Sequence, residues 1–191
     1  MRDTKAGQLP MLLVVLCALA GGAVAQPLSP EPTRAARPLP EAAAIVGAVT
    51  VPLATGSVLL GYTDGLHNTR AWCVEAQGYS APDCLALNSR WHVTAAGGRA
   101  LVAVAVVSGL AAGAAAQLSP GEAALVGLSS TMVAGMAFSL GHNLEQGQAY
   151  YYAGDVAATD RLARRVGPKA VFWASTVVTT GVVALTVWAL R

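Results

Sequence analysis

The chain contains few charged residues. Only 12% of its 191 residues are Asp, Glu, Lys or Arg, whereas an ordinary soluble domain has roughly 25%. The chain therefore lacks the side chains that would cover a soluble protein of this size, and 54% of it is hydrophobic. The apolar residues stand in long runs, which is typical of a protein whose solvent is a lipid bilayer.

Several kinds of functional motif are also missing. The net charge of +2 is small, and no basic patch with interleaved aromatic residues indicates nucleic-acid binding. No acidic residue stands in the middle of an apolar run, which argues against a pump or antiporter because those proteins use intramembrane carboxylates. No Ser/His/Asp order or phosphate-binding glycine loop stands out. We therefore predict no cofactor and favour a non-enzymatic protein, with an enzyme as the open alternative.

The N-terminus predicts a cleaved secretory signal peptide at 1–25. Arg2 and Lys5 provide a positive start, residues 11–20 form a short apolar core, and residues 23–25 (Ala-Val-Ala) match a small-residue cleavage pattern. The core is too short for a comfortable transmembrane helix, which needs about 20 residues. An uncleaved anchor is the alternative. Either way, we expect insertion into a membrane through the secretory pathway.

The rest of the chain divides into a tail and a membrane domain. Residues 26–41 are proline-rich and predict an exposed tail. Residues 42–191 contain four apolar segments of about 20 residues, and we predict an all-α, four-helix polytopic membrane domain surrounded by lipid. The predicted spans are about 42–62, 99–117, 120–141 and 170–190, and long loops at 63–98 and 142–169 connect them on one face.

The connection between the second and third spans has a helix-capping pattern. Ser119 is a suitable cap, Pro120 suits the first helical position, and Glu122 follows three residues after the cap. This capping box predicts a tight antiparallel hairpin between the two spans.

Small residues recur within the spans at a spacing of four. They form the pair Gly109 and Gly113 in the second span and the pair Ser57 and Gly61 in the first. Because lipid provides no hydrophobic drive for helices to associate, such pairs indicate close backbone approach. We interpret them as packing positions within one bundle. Self-association into a homo-oligomer through the second span, or packing with another membrane protein, is the alternative.

The second long loop contains a basic segment that predicts a short helix at about 155–166. Its positive residues are Arg161, Arg164, Arg165 and Lys169. Such a helix is typical of a segment lying on an anionic membrane surface. A solvated loop helix is the alternative.

Charge and cysteine usage disagree about orientation. Seven Lys and Arg residues lie on the face of the two long loops and three on the opposite face, so the positive-inside rule favours loops in the cytoplasm. A cleaved signal peptide predicts the same orientation. Cys73 and Cys84, in contrast, are a candidate disulfide in a secretory-pathway protein, and a disulfide persists only on the oxidising side. From the sequence we favour loops inside.

The cysteines and histidines are also the candidates for chemistry. Redox catalysis prefers Cys-x-x-Cys, a spacing that Cys73 and Cys84 lack. The histidines His67, His92 and His142 all fall near membrane ends and are candidates for a metal or haem site. No closed zinc pattern is present. We therefore predict no metal and interpret the histidines as residues of the membrane–water interface.

The first long loop resembles that of the claudin and peripheral-myelin-protein family of four-span proteins. The matching elements, in chain order, are Gly65-Leu66, Trp72-Cys73, Cys84 and Arg99-Ala100-Leu101. The loop is similar to that of the amastin surface proteins as well. The resemblance implies a Cys73–Cys84 disulfide, an extracellular loop and a role in cell contact or membrane organisation. The chain departs from the family in having His67 where the family has tryptophan, a shorter stretch before Cys73, and a predicted signal peptide.

These observations predict a non-enzymatic multi-pass membrane protein with a structural or interaction role. The loops at 63–98 and 142–169 would be its working surface. The alternative is a small membrane-enzyme or electron-transfer subunit that uses the histidines or cysteines on that face.

Overall fold

The computed structural model describes residues 36–78, 80–152 and 158–191. The predicted signal peptide at 1–25 and residues 26–35 of the tail lie outside this part of the chain. The described residues form five helices: α1 Leu39–Gln77, α2 Pro82–Ala115, α3 Pro120–Glu145, α4 Ala158–Val166 and α5 Pro168–Ala189. Among them α1, α2, α3 and α5 are long and apolar enough to cross a membrane. The predicted all-α, four-span fold class is confirmed.

Each of the four long helices has a proline in its first turn, at Pro40, Pro82, Pro120 and Pro168. Proline suits this place because its fixed φ is helical and its missing N–H has no partner there. Between α2 and α3 the predicted capping box is present. The backbone N–H of Glu122 donates to Ser119 Oγ at 3.3 Å, and the N–H of Ser119 donates to the Glu122 carboxylate at 2.6 Å.

The prediction of a long loop at 63–98 is corrected by the structure. Helix α1 continues to Gln77 and α2 begins at Pro82, so only a short turn separates them. Each predicted helix ends where its apolar run ends, but apolarity limits the length of the membrane span and not that of the helix. No proline stands between Pro52 and Pro82, and Gly78, at φ 84°, ends α1 in a conformation that glycine favours.

The other predicted boundaries change less. Helix α1 begins at Leu39 rather than at residue 42, so the described end of the tail is only residues 36–38. Helix α3 continues to Glu145, a turn past its predicted end. The short helix predicted at about 155–166 is present as α4, Ala158–Val166.

Helix α1 is the centre of the bundle. It packs along its length against both α2 and α3, while α5 packs on α3 and on α1, and α4 contacts α5. Glycine residues allow the backbones to come close where α1 crosses α3 and where α1 crosses α2. A Cβ atom on Gly61 would collide with the Phe138 carbonyl of α3, and one on Gly141 with the Val58 carbonyl of α1. At the α1–α2 crossing, a Cβ on Gly56 would lie 2.9 Å from the Gly98 carbonyl oxygen.

The charged residues mark the two membrane faces. Glu122 and His142 are separated along α3 by about 30 Å at 1.5 Å per residue, which equals the hydrocarbon thickness of a typical bilayer. Lys169 and Arg191 bracket α5 over a similar length. We call the face with His142 and Lys169 the hairpin face, because the α1–α2 turn lies there, and the opposite face the Arg37 face.

Candidate functional site: the disulfide hairpin and its base

The far ends of α1 and α2 project beyond the rest of the bundle. We call this element, residues 66–92, the disulfide hairpin. Helix α3 ends level with Gly65, whose carbonyl accepts a hydrogen bond from Gln146 Nε2 at 2.8 Å. Because α1 continues to Gln77, the hairpin extends about 18 Å past α3 at 1.5 Å per residue. Because this extension begins at the membrane boundary, it lies outside the hydrocarbon core of the bilayer, which we call the apolar slab.

The disulfide joins the two helices of the hairpin near its tip. Cys73 of α1 and Cys84 of α2 are bonded, with Cα atoms 5.7 Å apart. Both residues are only 2% exposed, so the sulfurs lie between the helices rather than on the surface. The cysteines that the sequence identified as a candidate disulfide therefore have a structural position, as a cross-link of an antiparallel helix pair.

Aromatic and basic side chains surround Trp91 at the base of the hairpin. The Arg70 guanidinium lies 5.5 Å from the Trp91 ring centroid, within the range of a cation–π contact. The His92 ring lies 4.6 Å from the same ring and the His67 ring 6.2 Å. This cluster joins α1 to α2 across the level where tryptophan is favoured at a membrane–water interface.

The third histidine lies elsewhere. His142 of α3 pairs with Asp64 of α1, with Nδ1 3.1 Å from the carboxylate. The structure thus brings His67 and His92 together at Trp91 but does not bring His142 to them. Within the described ranges, no three metal-ligating side chains form a group.

The chain after α3 is tied back to that helix. Asn143 is buried, and its Nδ2 donates to the carbonyls of Tyr150 and Tyr152 at 3.3 and 3.2 Å. These bonds hold the tyrosine segment 150–152 beside the end of α3. Asn143 was not among the predicted site residues, and its signal in the sequence is a polar residue at the end of an apolar span.

A second polar centre lies on the Arg37 face, and the sequence analysis missed it. Arg37 is 8% exposed and donates to Glu122 at 2.8 Å, to the Ala116 carbonyl at 2.7 Å and to the Leu190 carbonyl at 2.9 Å. Its backbone N–H also donates to the Arg191 carbonyl. One side chain thus ties the ends of α2 and α5 to the start of α3.

The predicted packing residues have different surroundings. Ser57 and Gly61 are buried in α1, and Gly61 meets α3 as described above. Gly109 faces α1, where a Cβ atom would lie 3.2 Å from a Val49 methyl, whereas a Cβ on Gly113 would meet nothing within 4 Å. The pair predicted in the second span therefore contributes one intramolecular contact.

The disulfide gives a first testable prediction. Replacing Cys73 and Cys84 by serine should destabilise the hairpin by about 2–3 kcal/mol, because the cross-link closes a short loop in the unfolded chain. We expect faster amide hydrogen exchange in residues 66–92 and little change in the apolar part of α3. The double variant Ser80→Ala/Ser89→Ala, at exposed hairpin positions, is the matched control. Unchanged exchange in the hairpin of the serine variant would contradict the prediction.

Comparison with protein-family models, with curated proteins and with solved structures gives no match.

Proposed function

We propose that this multi-pass membrane protein has a structural or interaction role, with the disulfide hairpin as its recognition element. The observation that carries the proposal is the projection of a cross-linked helix pair past α3, with two large apolar side chains exposed beside the cross-link. Trp72 is 67% exposed and Leu85 is 56% exposed.

The chemistry of the hairpin supports this role. Tryptophan is enriched at the energetic centres of protein–protein interfaces. A hairpin held by a disulfide is already ordered, so it loses little conformational entropy when a partner binds. An exposed tryptophan on a rigid helix is therefore a suitable anchor for another membrane protein or for a second copy of this chain.

We further propose that the hairpin faces the oxidising side of the membrane. A disulfide has a chemical requirement for that compartment, whereas the count of Lys and Arg expresses a statistical bias. This orientation reverses the preference that we took from the sequence. The resemblance to the claudin family, which stays a prediction, implies the same orientation. The orientation conflicts with a cleaved signal peptide at 1–25, because a single span, α1, separates the hairpin turn from residues 36–38 and would place those residues in the cytoplasm.

The orientation is tested by a cysteine at the hairpin tip. Ser80 is exposed in the α1–α2 turn, so we expect Ser80→Cys, in a chain with Cys17→Ser, to react with an impermeant thiol reagent in intact cells. Gly121→Cys, exposed on the Arg37 face, should react only after permeabilisation. The opposite pattern would place the hairpin in the cytoplasm and overturn the proposed orientation.

The recognition role is tested by photo-crosslinking in native membranes. A benzophenone side chain at position 72 should form a discrete protein adduct, and the same group at Val177, which is exposed on the apolar part of α5, should not. Trp72→Ala should weaken the association by about 2 kcal/mol, roughly thirtyfold in Kd. The same group at Leu85, the other exposed apolar residue beside the cross-link, is a second probe, and absence of an adduct at both positions 72 and 85 would contradict a recognition role for the hairpin.

A further inference from the structure

We propose that the cleft between α3 and α5 on the hairpin face binds one anionic phospholipid of the surrounding bilayer. An acyl chain occupies the cleft, and the phosphate lies among Arg164, Arg165 and Lys169. This site is separate from the disulfide hairpin and goes beyond the proposed function. A result that contradicts the lipid site therefore leaves the proposed recognition role of the hairpin unaffected.

The cleft has a volume of about 240 Å³. Helix α3 lines it with Gly135, Met136 and Ser139, and α5 lines it with Val171, Phe172 and Ser175. This volume is smaller than the roughly 300 Å³ of the smallest pockets that bind a whole small molecule. It suits a flexible chain segment that continues into the bilayer.

The cleft starts at the membrane boundary and descends into the apolar slab. Asn143 lines its upper end and Gly135 its lower end, a separation of about 12 Å along α3 at 1.5 Å per residue. A Cβ atom on Gly135 would meet nothing within 4 Å, so the missing side chain leaves this space open. The lower lining residues Gly135 and Ser175 are exposed, and at that depth exposure means contact with lipid chains.

Aromatic side chains form the mouth of the cleft. The Tyr150 ring packs edge-on against Phe172 and Tyr151, each with ring centroids 4.9 Å apart, and lies 6.4 Å from Trp173. The Asn143 hydrogen bonds hold this segment in place. Tyrosine and tryptophan at this level are typical of the region where lipid headgroups meet acyl chains.

Helix α4 gives the mouth its charge. Ala163 lines the cleft, and the helical period places it between the apolar side of α4, formed by Leu162 and Val166, and Arg164 on the polar side. Leu162 and Val166 are both exposed, as expected of a helix that rests its apolar side on a membrane.

Arg164, Arg165 and Lys169 are exposed, and none of them makes an ion pair with a described residue. A lipid phosphate complements this group of cations, since each Lys or Arg near an anionic membrane strengthens binding roughly fivefold.

The proposal is tested by fluorescence quenching with brominated lipids. The full chain with Trp72→Phe, Trp91→Phe and Trp188→Phe keeps Trp173 as its only tryptophan, beside the cleft. In vesicles of phosphatidylcholine, brominated phosphatidylglycerol should quench Trp173 more than an equal fraction of brominated phosphatidylcholine. Arg164→Gln/Arg165→Gln should lower that preference at least tenfold, whereas Arg90→Gln, which removes an exposed cation on the same face, should keep it.

A second pair of variants tests the cleft itself. Gly135→Leu fills the open space and should reduce quenching by both lipids. Gly127→Leu is the matched control, because a Cβ on Gly127 also meets nothing within 4 Å and this residue does not line the cleft. Equal quenching by the two lipids, or equal loss in both glycine variants, would overturn the proposal. The number of phosphatidylglycerol molecules retained by the unsubstituted chain in native mass spectrometry, expected to be one, checks the result without tryptophan substitutions.

Discussion

Replacing Gly141 by alanine is expected to push α1 away from α3 and to lower the free energy of unfolding by about 3 kcal/mol. The added Cβ atom would collide with the Val58 carbonyl of α1. A backbone carbonyl inside a helix cannot rotate away as a side chain can. The collision must therefore be relieved by separating two helices, and this weakens dispersion contacts along both of them.

Thermal unfolding of the purified protein in detergent measures this effect. Gly127→Ala is the control on the same helix, since a Cβ there meets nothing within 4 Å, and alanine is the better helix former by roughly 1 kcal/mol. We expect Gly141→Ala to unfold well below the unsubstituted protein and Gly127→Ala to unfold at the same temperature or above it. Equal unfolding temperatures for the two variants would show that α1 and α3 do not cross at Gly141.

Replacing Arg37 by alanine is expected to cost about 3 kcal/mol of stability. The loss leaves the Glu122 carboxylate and the carbonyls of Ala116 and Leu190 without the donor that joins them. Removing one partner of a buried ion pair typically costs 3–5 kcal/mol. The lower end applies here, because the Glu122 side chain is 19% exposed and water screens part of the charge.

Two variants separate the role of geometry from that of charge. Arg37→Lys keeps the positive charge but lacks the planar fork that reaches several acceptors at once, so we expect it to recover less than half of the lost stability. Arg90→Ala removes an exposed arginine of α2 and should change stability by no more than about 0.5 kcal/mol. Full rescue by lysine would show that Arg37 acts only as a charge.

The features that depend on local sequence were predicted well. The four spans follow from the length and apolarity of each run, and the capping box follows from Ser119 and Glu122, three residues apart. Cys73 and Cys84 were identified as a candidate disulfide from the sequence, and they are bonded. The prediction of the loop at 63–98 was wrong because a local count of polar residues measures exposure to water and says nothing about whether two polar helices pack on each other.

The features that depend on distant residues were not predicted. Gly61 was identified within a spacing pattern, but nothing in that pattern shows that it meets Phe138, or that Gly56 meets Gly98 while Gly113 meets nothing. The cleft between α3 and α5 likewise depends on where a short basic helix and a tyrosine segment return to the bundle.

By itself the sequence indicates that the solvent of this chain is a bilayer, since a low density of charge and four apolar runs are typical of membrane-spanning helices. Only the tertiary structure decides which buried polar groups find hydrogen-bond partners. Arg37 binds groups 79, 85 and 153 positions away, and the backbone contact at Gly141 joins helices separated by a whole intervening span. Hydrophobic burial needs only composition, but hydrogen bonding and close packing need the right atom within a few ångströms, and that depends on how the helices cross.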